Sequence, residues 1–504
     1  MPDHGHRRAV PRAPVLLAIA AALLAGGLAD RAGSAPAAAT GVTAPPVPVV
    51  APADALSSSW FCAGATGTPG SAAAGTVVVA NGGAATASGT VTLLGSRGTR
   101  RAAPVSVAPG SQVAVPEAVR GGSPWMGAIV DMDAGAVAVY QQTDGPYGRS
   151  SALCATAGSA HWYFASGATL VNASEEISLV NPYPTDAVVD LSFTTDQGPE
   201  VPQQFQALDV PPEGMLAVDL GSHLRRRQTI ATTVAARSGR VIAWKTDIVT
   251  PPRRGQAILG TPAGAGPLAD PAAPVAGVTV TLGAARTATR WVWPDGLASN
   301  TLDERYIIYN PGPSIAQLSL SIVLDHGVAE PFSVSVGPGE VTSVVSGQEA
   351  RIPSGVAHSA VLRSVNGVPV VAERTVTASA PTLTGLGELP GAQLSASRWL
   401  VPDLPSDAAH AVTLVFYNPA PRPVSVSVGT AGGASSAADL AGLSRLVVGP
   451  GRRLAVSLSG RLRPVAGGPL LQVLASGPVY VEADSYGRPP TRGVNLSLAA
   501  PFSP

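Results

Sequence analysis

Residues Arg305-Tyr306-Ile307-Ile308-Tyr309-Asn310-Pro311-Gly312-Pro313, followed by Ala316-Gln317-Leu318-Ser319-Leu320-Ser321-Ile322-Val323-Leu324, decide the fold. Apolar and polar side chains alternate from Ala316 to Ile322, the period of a half-buried strand. The Asn-Pro-Gly-Pro segment ahead of it reads as a turn. Downstream, Pro331–Val336 and Glu340–Val345 flank Gly337-Pro338-Gly339, which has hairpin turn chemistry. His358–Ser364 and Pro369–Val376 then flank Asn366-Gly367, the strongest short hairpin signal.

The same landmarks recur four times. A strand opens on Trp60, Trp162, Trp291 or Trp399, and an asparagine turn follows at Asn81, Asn181, Asn310 or Asn418. Each copy then carries a valine-rich strand with polar residues. About seven or eight short strands per copy of ~100 residues predict an immunoglobulin-like β-sandwich. The fold class expected is therefore all-β, with four tandem sandwiches over 57–157, 160–263, 286–391 and 397–502. The alternative is a β-propeller, whose blades of ~40–45 residues are half the observed period. An Ala/Pro-rich linker is expected at 34–56 and a second linker at 264–285. Short junctions elsewhere predict a stiff rod, with a hinge between two pairs of sandwiches.

Composition narrows the function classes. Charged residues make up 13% of the 504, with Lys+Arg and Asp+Glu both at 32. A neutral chain has no electrostatic footprint for nucleic acid. His6-Arg7-Arg8 and Arg12 precede an apolar run from Ala13 to Ala29, and small residues surround Ala35-Pro36-Ala37. That order describes a secretory signal over 1–33, or an uncleaved signal anchor. Membrane contact is expected only through this segment, and the bulk of the chain is expected outside the cell or at its surface.

Cys62 and Cys154 are the only cysteines. An exported chain favours a disulfide between them, and two cysteines without a histidine pair are too few for zinc. A disulfide brings two Cα atoms within ~7 Å, so the opening and closing strands of the first copy must be neighbours. The equivalent opening positions are Phe164, Trp293 and Val401, all apolar. Their expected closing segments are Gln256–Gly260, Thr384–Leu389 and Val494–Leu498.

No catalytic signature, cofactor motif or metal motif is present. Asp131-Met132-Asp133 lacks the later acidic ligand of a calcium loop and reads as a tight turn. His161, His223, His326, His358 and His410 stand singly in the sequence and read as structural. Asp247, Glu373, Glu482 and Asp484 recur on the penultimate strand, and read as the solvated outer face of a sandwich. Tyr147-Gly148-Arg149 and Tyr486-Gly487-Arg488 occupy the same loop in the first and last copies. A tyrosine beside an arginine can stack on a sugar ring and bind its hydroxyls or carboxylates, so Tyr147, Arg149, Tyr486 and Arg488 are the candidate glycan-binding residues. The plainer reading makes each loop a turn packed across a domain edge.

Trp60-Phe61-Cys62, Cys154, the Asn-Pro turns and Pro369-Val370-Val371-Ala372-Glu373 together resemble an uncharacterised family of exported actinobacterial proteins. Members have an N-terminal hydrophobic segment and β-rich repeats. The resemblance implies no activity, and suggests association with envelope glycosyltransferase genes. The expectation is thus a non-catalytic envelope scaffold, partnered by an envelope protein or glycan. Alternatives are a carbohydrate-binding or adhesive surface protein and an envelope hydrolase with an unrecognised site.

Overall fold

The computed structural model describes residues 47–119, 122–251, 275–380, 382–431, 438–440, 442–463, 468–489 and 491–503. The signal segment and the first part of each expected linker lie outside them, as does Gln256–Gly260. The protein is all-β, with 57% of residues in strands, several separate antiparallel sheets and no closed barrel. Helical structure among the described residues is limited to three single 3-10 turns.

Each copy of the sequence repeat contributes two sheets, whereas a propeller blade would be one. In the third copy the outer sheet runs Arg290–Trp293, His358–Ser364, Ala316–Leu324, Phe332–Val336. Its inner sheet runs Glu340–Val345, Leu302–Asn310, Val371–Ala380, Leu383–Pro390. The first copy repeats both orders, with Ser58–Ala65 opening the outer sheet and Gly148–Leu153 closing the inner one. In the fourth copy one 17-residue strand, Leu471–Gly487, serves both sheets. Alternation puts Leu318, Leu320 and Ile322 into the core between the sheets, where they meet Trp291, Trp293 and Tyr306.

The asparagine turns are equivalent in detail. Asn310 Nδ2 donates to the carbonyls of Ser314 (2.8 Å) and Val336 (3.0 Å), and its Oδ1 accepts from Gly312 N at 3.0 Å. Asn81, Asn181 and Asn418 make the matching bonds, to Val107, Val210 and Val448 in place of Val336. One buried amide thus ties the turn to the end of the strand from which the chain crosses between the two sheets, so the residue returns in every copy.

Opening and closing strands meet as the cysteines require. Cys62 and Cys154 form a disulfide with Cα atoms 5.0 Å apart. In the third copy Trp293 Nε1 donates to Leu389 O at 3.2 Å; in the fourth the opening strand pairs with Ala500–Pro501, just beyond the expected Val494–Leu498. The second copy departs from expectation. Its closing strand is Gly277–Leu282, which pairs with Ile242–Val249 and lies within the expected 264–285 linker, not at Gln256–Gly260. A strand from Val249 need not be followed at once by its partner, and the intervening insertion hid the continuation from a period-based reading.

The expected rod is replaced by a closed ring. The first closing strand packs on the second, the second on Leu383–Pro390, that strand on Val494–Leu498, and Val494–Leu498 back on the first. All four run in one direction: Gly277 abuts Leu386 and Thr279 reaches Glu388, while Gly385 abuts Val494 and Gly387 abuts Leu496. Close approach demands glycine here. A Cβ on Gly385 would lie 2.6 Å from Val494 N, and one on Gly148 would lie 2.5 Å from Gly493 Cα. Val50 pairs with the segment after Val494–Leu498, its N donating to Pro501 O (2.8 Å) and its carbonyl accepting from Ser503 N (2.9 Å).

Candidate functional site

The inner sheets carry a row of charges that the ring places at its seams. Lys245, the only lysine, lies in Ile242–Val249 and is fully buried between the second and third copies. Its ammonium is 2.9 Å from Glu388 Oε2, 3.3 Å from Asp247 Oδ2 and 3.5 Å from Glu373 Oε2. It also donates to Ser166 O at 2.6 Å. Glu373 reaches across the seam and accepts from the backbone N–H groups of Ala165 (3.0 Å) and Ser166 (3.1 Å). Burial opposes the charge on Lys245, but Glu388, Asp247, Glu373 and Glu175 outweigh it and hold its pKa well above the usual lysine value. Burial, reinforced by Glu388, pushes Asp247 far up. Glu175 is pushed up to about 8, chiefly by burial and against the pull of Lys245.

The next seam repeats the plan with arginine. Arg374 Nη2 lies 2.6 Å from Glu482 Oε1 and 3.4 Å from Asp484 Oδ2, both on the fourth copy. Glu482 Oε2 accepts from Asp295 N at 3.0 Å, and Asp295 pairs with Arg453 at 2.6 Å. Burial and then the Glu482 charge raise Asp484 well above the carboxylate range. Inside the third copy, His358 Nε2 lies 2.9 Å from Glu304 Oε2 and 3.1 Å from Tyr306 Oη. Ser346 Oγ donates to the same carboxylate at 2.7 Å. Burial favours a neutral Glu304, yet the charge and hydrogen bond of His358 win and hold it at about 2.

These acids are not the solvated outer face anticipated from their spacing. Glu373, Glu482 and Asp484 are each at most 1% exposed. Period-two alternation correctly puts Glu482 and Asp484 on one face, but the neighbouring copy covers that face. A glycosidase needs two carboxyls about 5–10 Å apart flanking a substrate. Here an arginine or lysine fills that space. No group of three or more His, Cys, Asp or Glu with metal-holding geometry occurs among the described residues.

Among the described residues the other two seams carry one ion pair each, Arg100 with Glu213 between the first and second copies and Arg149 with Asp403 between the fourth and first. Thr246 Oγ1 donates to Gly64 O at 2.5 Å between the first and second copies. Between the fourth and first, Tyr140 Oη donates to Leu498 O (2.7 Å) and Ser151 N to Asn495 Oδ1 (2.8 Å). A cavity there, lined by Tyr140, Asp403, Asn495 and neighbours, has room for about one water and cannot admit a sugar ring.

The two candidate glycan loops come together at one end of the ring axis, where Gly148 abuts Gly493. Arg149 pairs with Asp403 and donates to its carbonyl at 3.1 Å. Arg488 donates to Ala408 O at 3.3 Å, and Tyr486 packs on the core of the third copy. Tyr147 is half-buried. Lys245, Arg374, Glu304 and His358 escaped sequence reasoning as a group. The available signal was a solitary lysine and an arginine at matching positions among valines and alanines.

Residues 118–382 match the Family of unknown function DUF5719. They span more than half of the sequence. The chain belongs to this family. None of the curated proteins matches it. Among solved structures it is similar to Thermotoga maritima 1070, at 20% identity over 21% of this chain and 95% of that one, with a TM-score of 0.20. The Anabaena sensory rhodopsin transducer is 22% identical over 18% of this chain and 97% of its own, with a TM-score of 0.16. Likeness at this level carries no functional argument.

Proposed function

We propose that this DUF5719 protein is a non-catalytic, exported scaffold of the actinobacterial cell envelope, built from four immunoglobulin-like modules closed into a ring. The observation that carries the reading is the use of the buried charges. Glu373 and Glu482, two of the acids that recur on the penultimate strand, hold the backbone of the neighbouring copy at 3.0 to 3.1 Å. A catalytic carboxyl must instead face substrate. The disulfide supports an oxidising, extracellular location. The basic, apolar, small-residue order of the first 40 residues supports export by a signal peptide or a retained anchor.

Fractionation of cells with thiol labelling tests the location: the chain is expected outside the cytoplasm with Cys62 and Cys154 unreactive, and a reduced cytoplasmic pool would overturn export. Incubation of the purified protein with envelope polysaccharides tests the absence of catalysis. Turnover that vanishes in a folded Glu482→Gln variant would replace the scaffold with a hydrolase.

A further inference from the structure

The outer sheet of the third copy carries one polar row across all four strands. Arg290 faces Arg363, Arg363 faces Ser319, and Ser319 faces Ser333. At ~4.8 Å between strands the row is about 14 Å long. The next row continues it, with Gln317 donating to Ser335 Oγ at 3.1 Å. Ser333, Ser335, Gln317 and Arg363 are exposed.

Two like charges directly opposite on paired strands repel, and sheets ordinarily avoid them. Neither arginine has an ion-pair partner among the described residues. Arg290 lies over the ring of Tyr480 of the fourth copy, 5.7 Å from its centroid. Its Nε and one terminal nitrogen are buried without a hydrogen-bond partner. With those two nitrogens closed off, the donors open to a ligand are those of the exposed Arg363 and the uncovered part of the half-buried Arg290, and an oxyanion is the group that pairs with two guanidinium groups at once. Equivalent rows elsewhere hold no such pair: Ser59–Asp131–Thr90, His161–Ala235–Asp190 and Arg398–Leu474–Ser427.

We propose that this face, bordered by Tyr480, binds an acidic glycan: Arg290 and Arg363 grip a carboxylate or phosphate, and the serine row meets sugar hydroxyls. The site is separate from the loops at Tyr147 and Tyr486, and goes beyond the scaffold reading without depending on it.

Saturation-transfer NMR on the full chain with glucuronate, glucose 6-phosphate and uncharged glucose tests the proposal. One or both acidic sugars are expected to bind in the millimolar range and glucose not to; whichever binds tighter identifies the anion. Arg363→Gln should weaken binding at least about tenfold, the loss of one charge-assisted hydrogen-bond pair. Arg363 is exposed, so this variant folds even if Arg290→Gln does not. Its unliganded melting temperature should equal or exceed that of the unmodified protein, because the repulsion is relieved. Inorganic phosphate tested alone separates a bare anion site from a glycan site. No binding of either acidic sugar, equal binding by Arg363→Gln, or glucose 6-phosphate as the sole binding sugar yet no tighter than phosphate would each overturn the proposal.

Discussion

At the scale of single residues, Lys245 decides whether one seam holds. Its replacement by methionine leaves Asp247, Glu373 and Glu388 buried with no cation beside them. Breaking a buried pair from one side costs about 3–5 kcal/mol. We expect Lys245→Met to lose that much in urea denaturation at neutral pH, and less in acid, where the orphaned carboxyls protonate. Equal stability at neutral pH would show that the ammonium contributes nothing. The pH profile of the unmodified protein follows from the same groups. Glu304, held at about 2, contributes stability above its ordinary 4.5 that is lost as pH falls through about 2. Glu117 at about 7, and Glu175 and Glu176 at about 8, work in the opposite sense. They are raised above 4.5, so their contribution is full below that value and disappears as pH rises through 7 to 8. His358 is raised above 6.5 because Glu304 overcomes its burial, and its share is likewise lost on the alkaline side. Calorimetry should show the melting temperature falling as pH rises through this window; a rising or flat profile would contradict the assignment.

At the scale of elements, the ring depends on how closely the closing strands approach. Gly385→Val puts a branched side chain against Val494 N and Gly493 C, which are backbone and cannot rotate away. Overpacking of this kind typically costs about 1–3 kcal/mol, and we expect a lowered melting temperature with a larger radius of gyration by X-ray scattering. A compact, unaltered variant would mean that the axis tolerates more than contact distances allow. Alternation at Ala316–Leu324 and the opening tryptophans appear as expected. The two expected hairpins do not: the strands flanking Asn366-Gly367, and those flanking Gly337-Pro338-Gly339, lie in different sheets, so each turn crosses between sheets. Cys62 and Cys154 reported a true contact. What could not be read is which covered face belongs to which neighbour. Period two sorts side chains into faces, as it did for Glu482 and Asp484, but says nothing of what lies against a face. The closing strand of the second copy was lost for a different reason, because the insertion after Val249 broke the spacing on which the repeat was counted.

At the scale of the whole molecule, the cores of the copies run together across seams. One apolar cluster joins Trp60 of the first copy, Trp244 of the second and Leu400 of the fourth. We therefore expect one cooperative thermal transition instead of four, with calorimetric and van't Hoff enthalpies in agreement. Two or more resolved transitions would show that the copies are energetically separate. The disulfide spans a sequence separation of 92 in the copy that bears the closing seam. Replacing Cys62 and Cys154 by alanine should cost about 4–5 kcal/mol in the chain-entropy model. A double variant as stable as the parent would assign the restraint to packing alone.

The pairing of Val50 with the segment ending at Phe502 sets a timetable for assembly. Contacts such as Tyr140 to Leu498 and Ser151 to Asn495 join residues 358 and 344 positions apart. Loop closure over such distances is slow and must precede its reward. Three copies can be complete while the circle stays open, with Tyr140 and Ser151 still awaiting Leu498 and Asn495. The strand Val494–Leu498 is the clasp, and a molecule that lacks it is an open arc, not a smaller ring.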